Sequence, residues 1–124
     1  MNTQITEDYC SFEVAKLLKE KGFDEPTCGF YYDNYTEELI VASPSNHNRS
    51  INAIAAPSQA QAMKWLREEK EIAIEILMNG VGEWYCDLYN TKTLNHYTEM
   101  DYVKLYEEAC EAAIKYCLEN LMNK

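Results

Sequence analysis

Apolar residues recur at helical spacing in three parts of the chain. The first helix is predicted from Ser11 to Lys21, and Gly22 follows it as a left-handed C-terminal stop. The second is predicted to begin at Ser58, whose side chain can accept the backbone N–H of Gln61. The third is predicted to begin between Thr98 and Leu105. Its apolar stripe consists of Tyr102, Tyr106, Ala109, Cys110, Ala113, Cys117 and Leu121.

Between these helices, shorter segments favour strands. An aromatic run from Cys28 to Tyr32 and a partner from Glu38 to Ala42 are joined by turn residues, which predicts a hairpin. After the second helix, Ile72 to Met78 alternates with a period of two, which favours a strand over a continuation of the helix. The glycines on either side of Val81 predict a turn, and Glu83 to Tyr89 is predicted to return as a further strand.

The predicted order is helix, strand, strand, helix, strand, strand, helix. It indicates a single α+β domain over residues 1–124, with one antiparallel four-stranded sheet and the helices packed on one face. Residues 43–53 are rich in turn formers and predict an exposed loop, and Asn90 to Tyr97 predicts a second, polar loop. Pro57 would end any strand that runs through residues 54–56.

The two predicted hairpins share a short pattern. Phe30 to Tyr35 and Trp84 to Tyr89 both follow the order aromatic, Tyr, any residue, Asp, any residue, Tyr. Both segments lie in a strand region some way after a helix. Aromatic strands reach this degree of similarity by chance, so we infer no internal duplication.

Charge narrows the classes of partner. The chain has 21 acidic and 11 basic residues, for a formal charge of -10. This balance repels a phosphate backbone and argues against direct binding of nucleic acid. It is typical of a solvated acidic surface, and it also suits docking on a basic partner.

The cysteines indicate a reducing compartment. The chain has five cysteines, an odd number, and no two of them have Cys-x-x-Cys spacing. The first residues show neither the basic nor the apolar region of a signal peptide, and no apolar run approaches the length of a membrane span. We therefore expect a cytoplasmic protein with free thiols and no contact with a membrane.

Three stretches carry a resemblance to a known group of proteins. They are Phe12 to Phe23, the helix from Ala56 to Glu68, and Tyr106 to Ala109 continuing through Lys115 to Leu121. The chain resembles, over about half its length, a family of small uncharacterised proteins carried by phages and integrated elements of gut bacteria. The resemblance implies a cytoplasmic protein of phage or mobile-element origin, and it implies no catalytic residue.

Catalytic and metal-binding patterns are weak in this sequence. His47 and His96 both fall in predicted loops and belong to no motif, which favours solvated side chains over catalytic ones. Asp33 and Asp87 occupy matching places in the two aromatic strands and are the only candidate acid–base pair. No helix carries metal ligands at three- or four-residue spacing, and no glycine-rich loop precedes a helix. We expect no cofactor and no metal.

The feature of the sequence that most favours a binding surface is the occurrence of tyrosines beside carboxylates. If Trp84, Cys86 and Leu88 face the helices, alternation turns the residues between them to the outer face of the sheet. Such a surface suits protein contact, although core tyrosines or a dimer interface would use the same residues. The candidate binding residues are Tyr31, Asp33, Tyr85, Asp87 and Tyr89, with Glu75 beside them.

These observations favour a small, acidic, non-enzymatic protein-interaction protein. Its partner is expected to be another protein or a second copy of the chain, and we expect a homodimer through the outer sheet face. One alternative is an acidic decoy that inhibits a nucleic-acid-binding protein. The other is a small enzyme that uses Asp33 and Asp87.

Overall fold

The computed structural model describes residues 7–33 and 37–122, and within them it has α+β architecture. It contains three α-helices and two antiparallel three-stranded sheets, so the prediction of one four-stranded sheet is wrong. The helices are α1 (Phe12–Glu20), α2 (Gln59–Lys70) and α3 (Tyr106–Tyr116). The strands are β1 (Thr27–Tyr32), β2 (Ile40–Ser45), β3 (Ala53–Ala56), β4 (Ile72–Met78), β5 (Trp84–Asn90) and β6 (His96–Glu99).

The first two helices begin as their sequences predict. Ser11 Oγ accepts the N–H of Val14, and Ser58 Oγ accepts the N–H of Gln61 at 3.0 Å. The third helix begins at Tyr106, the later of the two predicted starts, and Glu108 there accepts the backbone N–H of Leu105. The earlier start at Thr98 fails because that residue pairs with β5. A π-helical turn over Cys117–Leu121 extends α3.

The first sheet has the order β2-β1-β3. The predicted hairpin of β1 and β2 is present, but β2 runs on through Ser45. The predicted loop over residues 43–53 is therefore too long at both ends, and a short 3-10 helix, His47–Arg49, lies within it. The missed strand, β3, is an Ala-Ile-Ala-Ala segment that is buried throughout, so it carries no alternation of polar and apolar residues.

The second sheet has the order β4-β5-β6. Residues 72–78 form a strand, and the helical alternative fails because Glu71 adopts the left-handed conformation (φ 61°) that ends α2. The predicted β4–β5 hairpin is present. The missed strand, β6, falls where a polar loop and the start of the last helix were predicted.

Side chains occupy part of the free edge of β3. Asn48 Oδ1 accepts the N–H of Ala55 at 2.8 Å, and Lys19 Nζ donates to the carbonyl of Ala53 at 2.8 Å. These contacts satisfy two of the backbone groups that a further strand at this edge would use. The chain then enters α2 and builds a separate sheet.

One large core joins the three helices to the second sheet, and a smaller cluster joins α1 to the first sheet. Four of the five free cysteines are buried, and Cys28 is partly exposed. In the described residues, no helix combines the length and apolar character that a membrane span needs. The large core contains Cys10, Val14, Leu18, Phe23, Ala55, Ala62, Trp65, Leu66, Ile72, Cys86, Leu88, Ala113, Ile114, Cys117 and Leu118.

Candidate functional site

The second sheet has one covered face and one open face. On β5, Cys86 and Leu88 are buried against the helical layer, whereas Tyr85, Asp87 and Tyr89 alternate with them and are only half-buried. We call the uncovered side the open face. Its residues are Ala73, Glu75 and Leu77 on β4, Tyr85, Asp87 and Tyr89 on β5, and His96 and Glu99 on β6.

Strand register aligns three acidic residues across the open face. Glu75 lies directly opposite Asp87, and Asp87 lies directly opposite Glu99. Because neighbouring strands are about 4.8 Å apart, these residues form a row about 10 Å long. We call it the carboxylate row. Like charges in directly opposed positions destabilise a sheet.

Aromatic side chains flank the carboxylate row on both sides. The Tyr85 ring meets the Tyr102 ring edge to face, with ring centroids 5.1 Å apart. On the other side, the Tyr89 and His96 ring centroids are 5.0 Å apart. Tyr102 is 54% exposed, so its ring extends the open face beyond the end of β6.

His96 interacts with the middle carboxylate of the row. Its Nε2 lies 3.0 Å from Asp87 Oδ1, and the side chains are 45% and 18% exposed respectively. When protonated, the imidazole makes a charge-assisted hydrogen bond with Asp87. The contact orients the carboxylate and leaves Glu75 and Glu99 outside any ion pair of the described residues.

The electrostatic field at the open face is negative. Partial desolvation raises the pKa of Tyr85 and of Tyr89, and the nearby Asp87 carboxylate raises each pKa further. Glu75 and Glu99 act in the same direction on both phenols. Both tyrosines therefore remain neutral donors at physiological pH, beside carboxylates that can only accept.

The structure divides the predicted site residues between the two sheets. Tyr85, Asp87 and Tyr89 share the open face. Tyr31 instead lies in the first sheet, is only 6% exposed, and donates its hydroxyl to the carbonyl of Cys10 at 2.9 Å. Asp33 follows β1, and its backbone N–H donates to Asn52 O. The expectation that all five share one face is thus wrong for Tyr31 and Asp33.

Three residues of this surface escaped the sequence reasoning. His96 and Glu99 lie on the missed strand β6, and Tyr102 was assigned to the last helix. The available signal was the Tyr-Thr pair at positions 97 and 98, because both residue types favour strands. A strand of four residues with a bulge beside Tyr97 gives too short a pattern for alternation to show.

Other parts of the described surface bring together fewer groups that could bind a ligand or take part in a reaction. His47 stacks on Phe30, with ring centroids 4.2 Å apart, and belongs to the loop beside the first sheet. An open depression of about 280 Å³ over Trp65 is edged by Glu25, Glu68 and Glu69. The described residues contain no group of three His, Cys, Asp or Glu side chains arranged to hold a metal ion.

Comparison of the chain with family models, with curated proteins and with solved structures gives no match.

Proposed function

We propose that this is a small, non-enzymatic protein-interaction protein that binds a protein partner through the open face of its second sheet. The observation that carries the proposal is the group of partly exposed tyrosines beside carboxylates on an uncovered face. Tyrosine provides a large contact area with little loss of conformational entropy, and it is enriched at interfaces.

A cytoplasmic location and a phage or mobile-element origin belong to the same proposal. The free cysteines support the first, because thiols persist in reducing compartments. The resemblance of the helical stretches to small phage-borne proteins supports the second. The enzyme alternative has less support, because Asp87 lies on β5 of the second sheet whereas Asp33 follows β1 of the first sheet.

The face can be tested by capture with matched variants. Three immobilised proteins are incubated with a lysate of gut bacteria, the hosts that the phage resemblance implies. They are the wild type, the double variant Tyr85→Ser/Tyr89→Ser and the control Tyr32→Ser. Tyr32 is a suitable control because it is 46% exposed and lies in the first sheet. We expect a partner that wild type and Tyr32→Ser retain and the double variant loses. Equal retention by all three proteins would reject the open face as the binding surface.

Self-association is measured separately by light scattering of wild type and Tyr85→Glu at tens of micromolar protein. A dimeric mass that Tyr85→Glu abolishes would make the second copy the partner. A monomeric wild type would exclude the expected homodimer. If the wild type is monomeric and also captures nothing, the proposed function is rejected.

A further inference from the structure

We propose that the carboxylate row of the open face binds arginine side chains of a cationic protein partner. This inference rests on the proposed function, because it names the chemistry of the partner that occupies the same face. It adds a specific recognition element, Glu75, Asp87 and Glu99, to the tyrosines on which that function depends.

The register of the sheet carries the first step of the argument. Three carboxylates stand opposite one another on adjacent strands, although pairs of like charge in these positions reduce the stability of a sheet. Of the three carboxylates in the row, only Asp87 contacts a basic side chain of the described residues, and that side chain is the imidazole of His96. The row therefore has unused capacity to accept hydrogen bonds from a cation.

The tyrosines on either side of the carboxylate row favour arginine over lysine as the side chain that binds there. A guanidinium is planar, binds carboxylates through two parallel hydrogen bonds and stacks on aromatic rings, whereas an ammonium is a compact, strongly hydrated charge. Tyr85 and Tyr89 lie on either side of Asp87 along β5. An arginine that reaches the row would meet carboxylate oxygens and a phenol ring together.

Charge favours a cationic partner over the homodimer that the sequence predicts for this face. A two-fold pairing through the open face would bring two carboxylate rows together, in a chain with a formal charge of -10. Like charges that are brought together in a desolvated interface repel one another strongly. A basic partner removes this repulsion and also relieves the repulsion within the row.

Synthetic extended peptides with alternating arginines test the inference directly. Their affinity for the protein is measured by calorimetry at low and high salt, with a lysine peptide and a glutamate peptide of equal length for comparison. We expect the arginine peptide to bind most tightly and to weaken by on the order of tenfold or more as salt screens the contact.

Two double variants distinguish the effect of the carboxylate row on binding from the effect of net charge. Glu75→Gln/Glu99→Gln removes two carboxylates of the row, whereas Glu69→Gln/Glu119→Gln removes two exposed carboxylates elsewhere. Both remove the same number of charges. We expect the first to weaken arginine-peptide binding on the order of tenfold or more and the second to change it less than about twofold.

The possible failures are distinguishable. Equal loss in both double variants, or no binding of the arginine peptide at low salt, would overturn the arginine site. If a captured partner still depends on Tyr85 and Tyr89 but resists high salt, the inference fails and the proposed function stands. If no capture depends on the open face, both fail.

Discussion

The two sheets of this protein use aromatic residues in opposite ways. In the first sheet, Tyr31 is buried against α1, its hydroxyl is satisfied by a backbone carbonyl, and its ring meets Phe12 edge to face. In the second sheet, Tyr85 and Tyr89 lie on the open face beside carboxylates. Similar short sequences thus serve the core in one sheet and a surface in the other.

Strand order shows that the halves are not simple copies. The central strand of the first sheet is β1, the first strand of its unit, whereas the central strand of the second is β5, the second strand of its unit. The shared aromatic pattern therefore occupies two different topological positions. Burial follows from what packs on each strand, which the short pattern does not encode.

The largest expected effect is a difference in reaction rate between the thiols of the two central strands. Cys28 on β1 is partly exposed, whereas Cys86 on β5 is only 1% exposed. Burial raises the pKa of Cys86 from 9.0 to about 11, and Asp87 contributes in the same direction. A thiol reagent at pH 8 should modify Cys28 orders of magnitude faster than Cys86, which reacts only when the protein opens.

Reaction kinetics of single variants check this assignment. Cys28→Ser should remove the fast phase, whereas Cys86→Ser should leave it unchanged. A fast phase that survives Cys28→Ser but is lost in Cys28→Ser/Cys86→Ser would show that the core of the second sheet is accessible.

The raised pKa of Cys86 also predicts a dependence of stability on pH. The unfolded thiol ionises near pH 9.0 and the folded thiol near 11, so the native state favours the neutral form. This contribution is complete below pH 9 and is lost as the pH rises through about 11. Urea midpoints of wild type and Cys86→Ala between pH 8 and 11 should therefore converge. A constant difference would contradict the prediction.

Replacing a glycine by alanine on β1 should lower the free energy of unfolding far more than the same replacement in the turn of the second sheet. An added Cβ at Gly29 would lie 2.7 Å from the carbonyl oxygen of Ala56 and 2.9 Å from the Tyr9 ring. A Cβ at Gly80 would meet no atom within 4 Å. We expect Gly29→Ala to lower the free energy of unfolding by about 1–3 kcal/mol and Gly80→Ala to change it by less than about 0.5 kcal/mol.

Urea unfolding of both variants measures this difference. Equal stability of the two variants would mean that the segment around Tyr9 moves away from β1 at little cost, and the close packing of the first sheet would then be less rigid than its geometry indicates.

Removing one hydroxyl should distinguish the two kinds of tyrosine. Tyr31→Phe deletes a buried hydrogen bond to Cys10 O and should lower the free energy of unfolding by about 1 kcal/mol. The Tyr85 hydroxyl has no partner among the described side chains and backbone groups, so Tyr85→Phe should change it by a few tenths of a kcal/mol at most. Thermal unfolding of both variants tests this, and equal losses would contradict the assignment of Tyr31 to the core.

Local patterns in the sequence predicted some elements of the fold, whereas contacts between distant residues determined others. The helix start at Ser58 followed from local capping chemistry, and the first helix followed from apolar spacing and the stop at Gly22. The β4–β5 hairpin followed from alternation over seven residues. The split into two sheets was not predictable, because β3 shows no alternation and its edge is contacted by Lys19, which is distant in sequence, and by Asn48, which belongs to no pattern. The open face was predictable on β4 and β5, where Glu75, Tyr85, Asp87 and Tyr89 alternate with core residues, but not on β6, which is too short to show a period.

The smallest expected effect concerns the balance between stability and recognition on the open face. Glu75→Gln removes one like-charge neighbour of Asp87, so it should stabilise the protein by about 0.2–1 kcal/mol at low salt. The gain should shrink at 1 M salt, where the Debye length falls to about 3 Å. Glu69→Gln, an exposed change in the last turn of α2, removes the same charge outside the row and serves as the control; its gain and the salt dependence of that gain should be smaller. Urea midpoints of both variants and wild type at low and high salt provide the measurement. A destabilised Glu75→Gln would mean that the row is already neutralised within the folded chain, and the repulsion that we assign to it would be absent.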